Sequence, residues 1–250
     1  MAALPTVSSD YTEPSASALE LYALCPARAI GRYVNKIKEP DNERTAAGKA
    51  AHKHTQHWMV TGEMVRRSSP VAAAVRRITH ALPVGVGDVE PRNIERIVLL
   101  EHQGISFQGK IDWEHRSVGD LKFTGQLANI ADKDPLKDMQ RILYASDWFY
   151  RNPYGDKCRT DWTASQFDGE RAKNYPVLFS RRQARRLLDN VVMPVANALL
   201  NATSKGADWR KAPKNASACD KYPPNGCPMR EHGCKMSARE ALLTLKPRSR

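Results

Sequence analysis

Residues 109–125 read GKIDWEHRSVGDLKFTG, and the window brings Asp112, Asp120 and Lys122 close together. Alternate residues of a strand share a face, so Asp120 and Lys122 point the same way. A turn near 116–117 places Asp112, on the preceding strand, opposite Asp120, with Ile111 and Leu121 turned towards the core. Two carboxylates held so near one another repel unless a cation lies between them. Oxygen ligands at a site open to water suit Mg²⁺ or Mn²⁺. Such a cation lowers the pKa of a bound water and stabilises charge on a reacting phosphate, and a neighbouring ammonium can orient the water. The plain alternative is an exposed hairpin with a cross-strand Asp–Lys pair, because Asp-x-Lys alone is a common pattern.

These residues need a hairpin and flanking helices to position them. Residues 1–14 read as a loose arm. Ser17 and Glu20 form a capping box for a first helix, which Pro26 must kink or restart. Helices are expected over 43–62 and 70–81. From Glu95 the period changes, and β-branched and aromatic residues predict antiparallel strands at 95–102, 105–115 and 117–123. A helix follows, capped by Asp134 with Pro135 in its first position. Strands are expected at 160–168 and 175–180. Ser180 and Gln183 form a second capping box, on a helix kinked near Pro194. From about 204 the chain is rich in Lys, Pro and Cys, and it cannot bury a core of its own.

The chain has 250 residues, 41% of them hydrophobic, and a formal net charge of +12. Its sequence pI of about 9.6 describes a field that attracts polyanions, nucleic acid first among them. Arg181, Arg182, Arg185 and Arg186 concentrate that charge in one helix and are candidate DNA contacts, although most charge runs are solvated surface. No run is long enough to span a membrane and no signal peptide is evident, so a cytoplasmic location is expected. Five cysteines without a secretory signal argue against a disulfide framework. Cys219, Cys227 and Cys234 lie close together and suggest a metal or cluster site. Cys158 reads as a free thiol.

The chain also carries GKAAH at 48–52, GKID at 109–112, DLK at 120–122 and QRILY at 140–144. In this order they resemble the PD-(D/E)XK nucleases, in particular the RecB-like branch of the CRISPR-associated iron–sulfur exonucleases and the AddB nuclease domain. The resemblance implies an α/β fold with a small mixed sheet flanked by helices. It implies that His52, Asp112, Asp120 and the carbonyl of Leu121 bind Mg²⁺ or Mn²⁺, and that Lys122 positions the attacking water. Gln140 and Tyr144, one helical turn apart, resemble the pair that contacts DNA and supports the lysine. Glu101 is a weaker candidate one strand earlier. Cys25 with Cys219, Cys227 and Cys234 resembles the ligand set of a [4Fe–4S] cluster that staples the C-terminal segment to the N-terminal helix. The last three are spaced more widely here than in those relatives. Four thiolates could instead hold Zn²⁺, with His232 replacing one of them.

The expectation is therefore an arm (1–14), a nuclease core (15–203) and a Cys-rich segment (204–250) packed on the first helix. Within the core, 15–81 forms the N-terminal helices, 95–180 the sheet and motif helix, and 181–203 a further helix. The implied function is metal-dependent exonucleolytic cleavage of DNA in recombination, repair or replication. Its stand-alone size resembles phage-encoded forms, which act in the host cytoplasm, and a single-strand-binding or recombination protein is a possible partner. The rival reading is a non-catalytic nucleic-acid-binding protein with a structural zinc site.

Overall fold

The structure, a computed structural model, describes residues 11–38, 43–204, 206, 208–215, 227, 229, 233 and 234. Cys219 and His232 lie outside the described residues. Helix α1 (Ala16–Leu24) starts two residues earlier than its capping box suggests, with Ser15 and not Ser17 as the cap. The Ser15 hydroxyl accepts the Ala18 amide at 3.2 Å, and this start buries Ala16 and Ala18 as well as Leu19. Pro26 then opens α2 (Pro26–Ala29), a fresh start suited to its missing N–H, which runs on into a π-helical turn at Ile30–Val34.

Helix α3 (Glu43–Thr61) buries Ala51, Thr55 and Met59, a stripe spaced by four residues, and α4 (Ala72–Ala81) follows. The stretch expected as two long strands is divided into β1 (Ile94–Ile97), β2 (Glu101–His102), β3 (Ile105–Ser106) and β4 (Lys110–Glu114). The cause is a distant partner: the Leu99 amide donates to Asp147 Oδ1 at 2.8 Å instead of extending a strand. Gln103 and Gly104 both take left-handed φ, at 49° and 75°, and this reverses β2 into β3.

Strand β5 (Val118–Thr124) leads through α5 (Ala128–Ala131) to α6 (Met139–Arg151). Helix α6 starts one turn later than expected, because Asp138 is its cap and accepts the Arg141 amide at 3.1 Å. Asp134 and Pro135 belong to a preceding turn, in which Asp134 Oδ1 accepts the Leu136 amide. Strands β6 (Lys157–Gln166) and β7 (Ala172–Ser180) follow. Ser180 caps α7 (Arg181–Leu187), accepting the Gln183 amide at 3.2 Å. The kink expected at Pro194 is a π-helical stretch at Leu188–Val192, after which α8 (Met193–Ser204) begins. Proline supplies no N–H to the turn before it, so the irregularity falls just upstream.

Contacts divide the chain into two compact units, one of residues 1–40 with 193–250 and one of residues 41–192. In the first, Tyr22 donates to the Ala198 carbonyl at 3.2 Å. The Ala27 amide donates to the Pro213 carbonyl at 3.0 Å, and Asn215 Nδ2 to the Leu24 carbonyl at 2.9 Å. Met229 lies against Gly31, where an added Cβ would come within 2.5 Å of its Cε.

The second unit holds a five-stranded sheet in the order β1–β4–β5–β6–β7. Strands β5 and β6 run parallel and the other neighbours antiparallel. Parallel neighbours need a crossover, which α5 and α6 provide. One face carries Trp113 and Leu121, which pack with Met59 of α3 and Ile78 of α4. Ser165, on the same side, donates to the Ala74 carbonyl at 3.0 Å. On the other face Thr160 and Trp162 meet α6, where Arg141 donates to Thr160 Oγ1 and stacks over the Trp162 ring. The fold is thus α/β, a mixed sheet flanked by helices. Trp113 crosses directly over Gly119, and a Cβ there would lie 1.7 Å from the indole. Only glycine lets β4 and β5 close at this point.

Candidate active site

Trp113 pairs with Gly119 and Glu114 with Val118. Beyond these pairs the ladder opens, and Asp112 reaches β5 through its side chain, close enough to Asp120 for its charge to act on that carboxyl. The hairpin expected from the sequence thus brings the two acids together, and α6 supplies the opposite wall. Asp112 Oδ2 accepts the Leu121 amide at 2.7 Å and lies 3.5 Å from His52 Nδ1. His52 reaches it from α3 with its ring edge-on to Phe123, centroids 5.3 Å apart. Asp120 is buried, and its Oδ1 accepts from Gln140 Nε2 at 2.7 Å. Its Oδ2 lies 2.6 Å from the Lys122 ammonium, off the hydrogen-bonding direction, and has no other partner.

Gln140 connects these groups. Its Oε1 accepts from Lys122 Nζ at 2.7 Å, while Nε2 serves Asp120 and the Tyr144 hydroxyl, the latter at 2.9 Å. Tyr144 in turn donates to the Lys110 carbonyl of β4, so the amide of Gln140 is held in place from both ends. Helical spacing explains the pairing, since residues four apart share one face.

Burial pushes the Asp120 carboxyl up to about 6, opposed by Lys122 and reinforced by Asp112. For Lys122 burial acts against the charged form, but the carboxylates of Asp120 and Asp112 outweigh it and the ammonium is held more firmly than usual. His52 behaves likewise: burial opposes its proton, Asp112 outweighs burial, and the imidazole is more basic than usual. Burial, then the Asp120 charge, raises the Tyr144 phenol well above its ordinary range, so it stays neutral and able to donate.

Among the described residues no group of three or more His, Cys, Asp or Glu side chains is arranged to enclose a metal ion. The donor chemistry at this place nevertheless fits a hard divalent cation. Two carboxylates and an imidazole meet there, and one buried carboxylate oxygen lacks a hydrogen-bond donor. In the first unit Cys25 and Cys227 are buried and Cys234 is half-buried.

The remaining candidates fall elsewhere. Glu101 is exposed on β2 and shares a separate cavity with His102, Tyr150 and Arg185. Arg181 is committed to the protein itself: it donates to the carbonyls of Phe149, Asn152, Pro153 and Gly155 at 2.6–2.9 Å and stacks on the Phe149 ring. Arg182, Arg185 and Arg186 are exposed. Sequence reasoning missed Trp162 and Arg141. Trp162 sits beside Asp120 in the parallel register, its ring 5.8 Å from Lys122 Nζ and in edge contact with Tyr144. Arg141 stacks 4.2 Å from the same ring. A tryptophan inside an otherwise polar strand was the available signal.

Neither a protein-family model nor a curated protein matches the chain. The fold is similar to the crystal structure of a candidate exonuclease from Eubacterium rectale, with a TM-score of 0.53 at 12% identity. The match covers 88% of this chain and 91% of that one. At that identity the likeness establishes the fold alone.

Proposed function

We propose that the chain is a divalent-cation-dependent nuclease of the PD-(D/E)XK type, acting exonucleolytically on DNA. The observation that carries this reading is the convergence of Asp112, Asp120 and Lys122 on one hairpin, with Gln140 holding the acid and the lysine together. Asp112, Asp120, His52 and the carbonyl of Leu121 would hold Mg²⁺ or Mn²⁺, which would make a bound water more acidic and offset charge on the phosphate. Lys122 presents its ammonium to a water or a phosphoryl oxygen. Gln140 fixes that ammonium, and Tyr144 ties Gln140 to β4. Trp162 excludes water behind Lys122. The net charge of +12 gathers the polyanionic substrate.

The similar fold of a candidate exonuclease supports the same reading. In the proposal the thiolates of Cys25, Cys219, Cys227 and Cys234 hold a [4Fe–4S] cluster or Zn²⁺ that pins the C-terminal segment, and purified protein that is brown rather than colourless identifies iron–sulfur. The nuclease reading is tested with DNA, Mn²⁺ or Mg²⁺, and EDTA. Degradation that EDTA abolishes and that Lys122→Ala lowers by about a thousandfold supports it. DNA binding without cleavage under either cation supports a binding module instead.

A further inference from the structure

Helices α6 and α7 pack together, and the segment 100–102 closes one side of a cavity between them, about 240 Å³ in volume. That is less room than most small-molecule sites offer, and it suits one large side chain. The floor is apolar: Leu100, Phe149, Ala184 and Leu188 are all buried there. The β2 wall is fixed, because His102 Nε2 lies 2.7 Å from Asp189 Oδ1, which also accepts from Gln103 Nε2 at 3.0 Å. Ser146 and Phe149 meet the cavity from the side of α6 turned away from Gln140 and Tyr144.

Ser146 supplies an independent observation. It is 7% exposed, and its hydroxyl, on the cavity lining, has no hydrogen-bond partner among the described residues. A helical hydroxyl can bond the carbonyl four residues back, as Thr55 does to Ala51 at 2.8 Å. Ser146 does not, and a buried polar group without a partner is costly, so this lining is complete only with a polar atom from elsewhere. The rim is basic. Arg185 lines the cavity and Arg182 lies one turn before it, both exposed and neither in an ion pair among the described residues. Arg181 already covers the Phe149 ring, so that ring has no free face for a nucleobase. Glu101, on the β2 wall, is placed to accept backbone N–H groups.

We infer that this cavity receives a tyrosine or tryptophan side chain from an acidic segment of a partner protein. The ring fills the apolar floor, its O–H or N–H meets the Ser146 hydroxyl, and flanking carboxylates pair with Arg182 and Arg185. Tyrosine and tryptophan combine a large apolar body with one polar atom, which is what the lining asks for. Such anchors in desolvated pockets dominate the affinity of protein interfaces. The inference stands apart from the nuclease reading.

The test follows the anisotropy of a fluorescein-labelled peptide, Gly-Asp-Asp-Tyr-Asp-Asp-Gly, titrated with the full chain without DNA or divalent cation. The expected result is saturable binding, about fivefold tighter than for the same peptide with Phe as the anchor. Ser146→Ala melts no lower than wild type, since the hydroxyl it loses had no partner, and binds the two peptides alike. Arg182→Glu with Arg185→Glu weakens the acidic peptide by about tenfold or more and favours a peptide with lysines in place of its aspartates. Equal binding of the Tyr and Phe peptides by wild type would overturn the inference, as would a Tyr preference that survives Ser146→Ala, a lower melting temperature in that variant, or no binding at millimolar peptide. Displacement of the peptide by deoxyadenosine monophosphate would assign the cavity to a nucleotide and overturn it equally. Cleavage is not read, so loss of the nuclease reading leaves each of these outcomes intact.

Discussion

At the scale of single residues, the site depends on Gln140 as much as on the acids. It accepts from Lys122 and donates to Asp120, so Gln140→Ala frees the ammonium and strips a donor from a buried carboxylate. The expected result is a fall in kcat of about 10- to 100-fold with DNA affinity unchanged, measured by single-turnover cleavage beside equilibrium binding. The pH dependence follows from Asp120. Its carboxyl is raised to about 6, so the charge that would attract a cation is present above that pH and lost as pH falls through it. His52, more basic than usual, must also shed a proton before it can ligate. At sub-saturating Mn²⁺, kcat/KM should fall about tenfold per pH unit as His52 takes up its proton and more steeply below about pH 6, where Asp120 is protonated too, whereas an ordinary carboxylate at 120 would leave the slope near tenfold per unit down to about pH 4. Asp112, Asp120, Lys122, Gln140 and Tyr144 were legible because period-two strands and i,i+4 helical pairs fix which side chains meet. Trp162 was not, since its place beside Asp120 depends on a parallel register between segments about 40 residues apart.

At the scale of elements, Arg181 is the C-terminal clamp of α6. Its guanidinium satisfies the Phe149 carbonyl in the last turn of that helix and three carbonyls after it, and covers the Phe149 ring. Arg181→Leu should lower unfolding stability by about 2–4 kcal/mol in urea titrations, while exposed Arg186→Ala stays within about 0.5 kcal/mol. Four arginines that look equivalent in RRQARR therefore divide into one structural residue and three exposed ones. The Ser180 cap, α3 and α4 could be read locally, from capping groups and apolar spacing. The two long strands expected over 95–115 could not. The break comes from Asp147 taking the Leu99 amide, while Asp147 itself is held by Arg96 and Arg151, which also bind Glu114. That buried ionic group joins β1, β4 and α6 across distances in sequence that no window detects. The start of α6 was misplaced for a simpler reason: Asp134 and Asp138 can both cap, and it is Asp138 that accepts the Arg141 amide, while also pairing with Lys133 at 3.1 Å.

At the scale of the molecule, the central sheet, its order and its flanking helices place a hairpin of acids under a helix that carries Gln140 and Tyr144. The α/β class and the mixed sheet were legible in the alternation of strand and helix patterns. The joining of the chain's two ends in the first unit was expected only through the resemblance, because the segment after residue 204 has no periodicity to read. No described helix is long and apolar enough to cross a membrane. The most direct test of the account replaces Asp120 with its isostere and follows end-labelled DNA in Mn²⁺. Wild-type protein should release short labelled products progressively from the ends. Asp120→Asn should bind the same DNA with similar affinity and release at least about a thousandfold less label. Cleavage by Asp120→Asn at the wild-type rate would contradict the account, because the carboxylate between Lys122 and Gln140 would then have no part in the chemistry.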